Sequence, residues 1–174
     1  IFLNLKAYFY RYILWRGVSL WRHYRNLAAR LRTTQWGVPV DLSEELNGVP
    51  IIECCTDLRG KYSQYFLPED FDTISSYDLD IIMRFGFNII RGEILNVPRY
   101  GVWSYHHDDH MRYRGQPPGF WEIYNADPWN GAMLQRLKDK LDDGIIIHKE
   151  FFKTVLSSYS QNLDQILMGS VKWP

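Results

Sequence analysis

Cysteine is scarce in this chain. It occurs only as the adjacent pair Cys54 and Cys55, which makes neither a disulfide framework nor a CxxC metal or redox motif. A reducing, cytoplasmic setting is the simpler reading of so little cysteine. Acid is absent from residues 1–36, although Lys6, Arg11, Arg16, Arg22, Arg25, Arg30 and Arg32 all lie there. The chain carries 20 basic and 20 acidic residues, so the remainder is net acidic. Either an anionic partner or the acidic remainder itself would complement such a segment. Long apolar runs are missing too. Lys6, Arg11 and Arg16 interrupt the greasiest part before the roughly 18 uncharged residues of a membrane span accumulate. Proline is absent from 3–32 and glycine occurs there once, at Gly17. No internal repeat or low-complexity segment is visible.

What the chain does have is an ordinary apolar content of 46% and a high aromatic content of 16%, with seven Trp and twelve Tyr. These form either an aromatic-rich core or a surface that covers a ligand. One domain fits 174 residues. The chain begins at Ile1 rather than Met and reads as a piece of a longer one. Leu5, Phe9, Ile13, Leu20, Tyr24, Leu27 and Leu31 recur near helical spacing, which predicts a basic helical segment over 1–36, long or broken near Gly17. Core packing is the preferred reading of that helix over attachment to an anionic membrane surface.

Further along, Asp41-Leu-Ser-Glu44 resembles a capping box and predicts a short helix over 42–47. Val49–Cys54 reads as a strand, followed by a loop from Arg59-Gly60, and Pro68 opens a helix through Ser75. Asp80–Gly86 reads as a buried strand, Asn88–Leu95 as a helical turn, and Gly101–His106 as the next strand. Pro117-Pro118 opens a helix through Tyr124. Ala132–Leu137 and Ile145–Phe151 are strands joined by 138–144, and Ser157–Met168 is a last helix. The alternation predicts an α/β core over 49–156, a mostly parallel sheet flanked by helices with a hairpin-like addition, preceded by the helical N-terminal segment.

The chemistry concentrates in Gly101–Gly119, which holds three of the five histidines, His106, His107 and His110, with Asp108 and Asp109 among them. A histidine at a strand end beside a loop suits general acid/base work near neutral pH. Asp142, in Leu-Asp-Asp-Gly144, is a carboxylate able to orient it. A metal site competes: on an extended strand His106, Asp108 and His110 share one side and would offer two imidazoles and a carboxylate.

Residues 78–151 resemble the catalytic domain of folate-dependent formyltransferases, the group that includes methionyl-tRNA, glycinamide ribonucleotide and sugar N-formyltransferases. Ser104-Tyr-His106 stands where that family has Asn-x-His. His110-Met-Arg-Tyr-Arg-Gly-Gln-Pro-Pro118 stands at its Leu-Pro-x-Tyr-Arg-Gly-x-x-Pro loop, and Leu141-Asp-Asp-Gly144 at its Leu-Asp-x-Gly turn. The resemblance implies a Rossmann-like fold and formyl transfer from 10-formyltetrahydrofolate to an amine, with an amino sugar or sugar nucleotide as the suggested acceptor. It implies His106 as acid/base, Asp142 as its partner and Ser104 at the oxyanion position, on the exposed end of its strand. Arg84, Gly86, Phe87, Ile89, Ile90 and Asp143 would line the pterin cleft. No nucleic-acid partner is expected. A metal-dependent hydrolase and a non-catalytic binding module are the alternatives, because Ser replaces Asn and the family's first strand has no counterpart here.

Overall fold

In a computed structural model, the strands fall where β-branched and aromatic residues run between turn-forming ones. The structure describes residues 40–113, 117–140 and 143–174. The helix expected over 1–36, the 33–39 loop and Asp142 lie outside the described residues. The unit Asp41–Pro174 contains two small sheets and three α-helices among the described residues.

The first sheet pairs β1 (Thr56–Arg59) antiparallel with β2 (Ser63–Phe66), and β2 parallel with β4 (Ile89–Arg91). The helix α1 (Pro68–Ser75) lies between them in sequence. It begins at proline, whose fixed φ and missing amide suit a first helical turn, and spans the residues expected. The second sheet runs β3 (Ile82–Met83), β5 (Val102–His106), β6 (Trp129–Arg136), β7 (Ile145–Lys153). Only β3–β5 is parallel in it; β5–β6 and β6–β7 are antiparallel. The expected mostly parallel sheet is therefore corrected to a partly antiparallel one. The hairpin-like addition is present as β6–β7.

Other expectations shift for identifiable reasons. No helix forms over 42–47. Asp41 spends its carboxylate on the Ser43 amide at 3.0 Å, and the residues make a turn ending at Gly48, where φ is +81°. Leu42 and Leu46 are exposed, so one helical turn there has no packing to sustain it. Val49–Cys54 is not a strand: Ile51 is 90% exposed, and the first paired residue is Thr56. The loop expected after Gly60 contains β2. Asp80–Gly86 yields only the short β3. Asn88–Leu95 becomes β4 followed by a 3₁₀ turn over Glu93–Asn96.

Apolar burial joins these parts. Ile74 of α1, Ile90 of β4, Ile94 and Leu95 of the 3₁₀ turn, and Val102 of β5 form one cluster, with Phe66 and Phe71 packed against it. Behind β6 lies α3 (Tyr159–Ser170), which Ser158 caps by accepting from the Gln161 amide at 3.4 Å. Its Leu163 and Ile166 are buried, as are Ala132 and Leu134 of β6. Full burial of a side chain such as Ile166 stabilises by roughly 1.5–3 kcal/mol.

Two glycines let elements approach closely. A Cβ on Gly169 of α3 would meet the Phe152 ring at 2.4 Å. On Gly131 of β6 it would meet the Asp109 Cα at 2.9 Å and its N at 3.0 Å. The Asp109 contact is with backbone, which cannot swing aside. Gly131→Ala is therefore expected to destabilise the protein by about 1–3 kcal/mol through overpacking. Urea unfolding of the full chain measures this, and an unchanged midpoint would refute the close approach.

Candidate active site

Side chains alternate across a strand, so Val102, Ser104 and His106 share one side of β5 while Trp103 and Tyr105 share the other. Hydrogen-bond register places Ser104 beside Gln135 and His106 beside Met133. Ser104 is 2% exposed. The expectation that it stands at an exposed strand end is thus corrected: it is in mid-strand, covered by Arg84. Arg84 Nη1 donates to Ser104 Oγ at 3.1 Å, and Nη2 donates to the carbonyls of Phe87 and of Asn88, the latter at 2.8 Å. The Ser104 hydroxyl donates in turn to the Tyr105 carbonyl at 3.3 Å. Burial pulls the Arg84 guanidinium below its ordinary pKa.

A cavity of about 160 Å³ opens at this place, lined by Arg84, Asn88, Ile89, Ile90, Ser104, Tyr105, His106, Gln135, Leu137, Lys138, Lys140 and Gly144. Five residues picked out in the sequence therefore share it: Arg84, Ile89, Ile90, Ser104 and His106. Asp143 lies instead in a neighbouring cavity of about 830 Å³, with Gly92, Leu95 and Arg136. The two share Leu137, Lys138 and Lys140. Gly86 and Phe87 line neither of these two cavities; the Phe87 carbonyl accepts from Arg84. Gln135, Lys138 and Lys140 were not anticipated. For Gln135 the signal is the β5–β6 register, which can be read only once the two strands are paired; Lys138 and Lys140 follow the end of β6.

Gly144, the last residue of the Leu-Asp-Asp-Gly motif, lines the same cavity as His106. Gly144 has no room for a Cβ, which would meet Gln135 Oε1 at 2.5 Å and the Arg136 carbonyl at 3.0 Å. That contact explains why the motif closes on glycine.

Beyond His106 the chain leaves the strand, so His106, Asp108 and His110 do not continue one extended face. Asp108 turns inward. Its Oδ1 accepts from the Gly119 amide at 2.7 Å, and it shares a hydrogen bond with Glu122 on helix α2 (Phe120–Tyr124). Burial, with the Glu122 carboxyl beside it, pushes Asp108 up to about 8, and burial also raises Glu122. With its side-chain amide turned toward α2, Asn130 donates to both Glu122 oxygens at 3.2 and 3.0 Å. Asn162 of α3 donates to the Gly119 carbonyl at 3.0 Å and accepts from Val155 at 2.9 Å.

Asp109 is held the other way. Burial opposes its charge, but the Lys149 ammonium at 2.7 Å and the Met111 amide outweigh burial and keep its carboxyl below the usual range. Arg112 and the Tyr113 hydroxyl both donate to Asp127 at 2.7 Å, which staples the following loop to the end of α2. Among the described residues no group of three His, Cys, Asp or Glu side chains is placed to hold a metal. The His106–Asp108–His110 metal reading therefore lacks its donor set.

His107 packs on the opposite side, stacked on Tyr105 with centroids 5.5 Å apart and Nε2 3.1 Å from Ser170 Oγ. Burial, then the neighbouring His106 charge, pulls it down to about 4.

These shifts predict a pH dependence of stability. A carboxyl raised in the fold contributes stability that is complete below its unfolded pKa and lost as pH rises toward 8. The depressed His107 acts oppositely, losing its contribution as pH falls from about 6.5 toward 4. Between pH 6.5 and 8 only the Asp108 effect remains of the two, so the melting temperature should fall across that interval. Asp108→Asn, neutral throughout, should flatten the fall. An equal slope in both proteins would refute the shared proton.

No family model matches the chain. A methionyl-tRNA formyltransferase from Prochlorococcus marinus is 28% identical over 111 residues, 64% of this chain and 30% of that protein. One from Wolbachia sp. subsp. Drosophila simulans is 32% identical over 111 residues, 64% of this chain and 34% of that protein. The chain spans about a third of the length of these curated relatives. Among solved structures, phosphoribosylglycinamide formyltransferase from Bacillus halodurans is similar with a TM-score of 0.48 and 15% identity, over 58% of this chain and 53% of that one.

Proposed function

We propose that this chain, a divergent member of the formyltransferase family, moves the formyl group of 10-formyltetrahydrofolate onto a small-molecule amine, with an amino sugar or sugar nucleotide as acceptor. The observation that carries the reading is the shared cavity. Ser104, His106 and Gly144, which belong to two separate motifs 38 residues apart at their His106–Gly144 ends, line one space with Arg84, Ile89 and Ile90.

In the proposed reaction the amine nitrogen bonds to the formyl carbon, and the bond from that carbon to the folate nitrogen breaks with its electron pair staying on nitrogen. His106 takes the proton that the amine sheds and supplies one to the folate nitrogen. Asp142 orients the imidazole and balances its charge while it is protonated. The small cavity, about 160 Å³, suits the formyl end alone. The adjoining one, about 830 Å³, lies in the usual range of roughly 300–1,000 Å³ for small-molecule sites. It is the better place for the pterin, with Asp143 on its wall and Leu137, Lys138 and Lys140 at the junction with the small cavity that Ile89 and Ile90 line. That the relatives are named for methionyl-tRNA leaves a nucleic-acid acceptor as the outcome to test against the small amine.

Titration with 5-formyltetrahydrofolate should give saturable binding; none at millimolar ligand would sink the proposal. His106→Ala should lower kcat by about 100- to 10,000-fold, as loss of a positioned acid/base does. His110→Ala, outside the cavity, should stay within about tenfold of wild type. Equal loss in both, on one acceptor, would contradict the single-imidazole mechanism.

A further inference from the structure

Arg84 is more fully equipped than a wall residue needs to be. A guanidinium has five N–H donors. Three are spent, on Ser104 Oγ and on the Phe87 and Asn88 carbonyls. Two remain, one on Nη1 and one on Nε; the Nε group is fully buried and has no partner among the described residues. Among the described residues Arg84 has no carboxylate in ion-pair contact. The other cations on the cavity, Lys138 and Lys140, add to its positive character, and no described lining residue is acidic. A half-buried cation with no counter-charge among the described residues is costly to hold, and a site that receives negative charge offsets that cost.

Ser104 cannot meet that need itself. Its single hydroxyl hydrogen is directed to the Tyr105 carbonyl and its oxygen accepts from Arg84. We infer that Arg84, through the Nη1 N–H that the Ser104 bond leaves over, is the donor that stabilises the oxyanion formed during formyl transfer, and that Ser104 is the positioning residue that aims it. This rests on the formyl-transfer reading. As the amine nitrogen bonds to the formyl carbon, the carbonyl π pair moves onto oxygen. The guanidinium hydrogen-bonds that charge, and the pair returns to re-form the carbonyl as the bond to the folate nitrogen breaks. Donors fixed in a water-poor site before reaction stabilise such charge without reorganising. The fork is rigid, so Ser104 on Nη1, with the Phe87 and Asn88 carbonyls on Nη2, fixes its direction.

The test compares formyl transfer by full-chain wild type, Arg84→Gln, Arg84→Lys, Ser104→Ala and the Arg84→Gln/Ser104→Ala double variant, with thermal melts and 5-formyltetrahydrofolate affinity for each. Arg84→Gln should lower kcat by about 100- to 1000-fold with little change in KM for the formyl donor, the pattern of a lost oxyanion donor. Arg84→Lys, which keeps the charge without the fork, should fall between the two. Ser104→Ala should cost about tenfold alone and nothing further in the double variant, because Ser104 acts only through Arg84. A merely structural Arg84 would shift melts and affinity while sparing kcat, and that result overturns the inference. So does additive loss in the double variant, or a rise in KM with kcat intact. Should Arg84→Gln fail to fold, Arg84→Lys and Ser104→Ala must both lose kcat for the inference to stand. Wild type that transfers no formyl group and binds no folate overturns the functional reading and this inference together. Loss of activity in His106→Ala alongside full activity in Arg84→Gln overturns the inference alone.

Discussion

One buried proton holds the site's surroundings together. Asp108 and Glu122 cannot both ionise where they lie, because burial and mutual repulsion oppose it. Sharing a proton turns that conflict into a hydrogen bond. Around it, Gly119, Asn130 and Asn162 satisfy the remaining oxygens and amides. These residues come from the turn after β5, the entry to α2, strand β6 and helix α3. A satisfied buried polar network fixes geometry, whereas a half-satisfied one costs more than apolar packing. Here it draws the chain sharply inward two residues after His106.

That turn has a consequence for chemistry. Because Asp108 goes inward and Asp109 is held by Lys149, neither carboxylate is available in the cavity that His106 lines. The space is left to one imidazole, three cations and Ser104 among its chemically active described walls. Such a site favours a reaction that gathers negative charge on oxygen while a proton is passed between two nitrogens. The antiparallel β5–β6 register supplies the rest: it sets Gln135 next to Ser104, and Gly144 lies in close contact with Gln135 and Arg136 of the same strand.

How much of this could be read from the sequence depended on how locally each element is determined. Proline at the start of α1, serine at the cap of α3 and the apolar residues of β5, β6 and β7 are local signals; α1, α3, β5 and β7 lie where expected within two residues, and β6 begins three residues earlier than expected, at Trp129. Strand direction is not local. Parallel pairing was inferred from alternation of helices and strands, yet β6 returns antiparallel to β5 after α2, whereas the short connection expected to make a hairpin of β6 and β7 does so. Val49–Cys54 carries strand-forming residues but pairs with no strand among the described residues; Val49 and Ile51 are exposed, and Cys54 packs against the apolar cluster. At the site, the motif residues Ser104 and His106 were legible as chemistry. The burial of Ser104 under Arg84 was not, because it depends on a contact across 20 residues. The role of Asp108 was hidden for the same reason. In sequence it sits in a polar run that reads as a solvated loop, and only pairing with Glu122 reveals it as core. Asp142 lies outside the described residues, and its place rests on the motif and on Gly144.

The central claim is that one imidazole and one carboxylate work as a pair in this cavity. A crystal structure of the protein soaked with 5-formyltetrahydrofolate tests it most directly, through the distance between the His106 ring and the Asp142 carboxylate. The account predicts a direct hydrogen bond of about 2.6–3.2 Å or a single bridging water, with the folate beside both. Side chains on opposite faces of the sheet, or separated by protein, would contradict it.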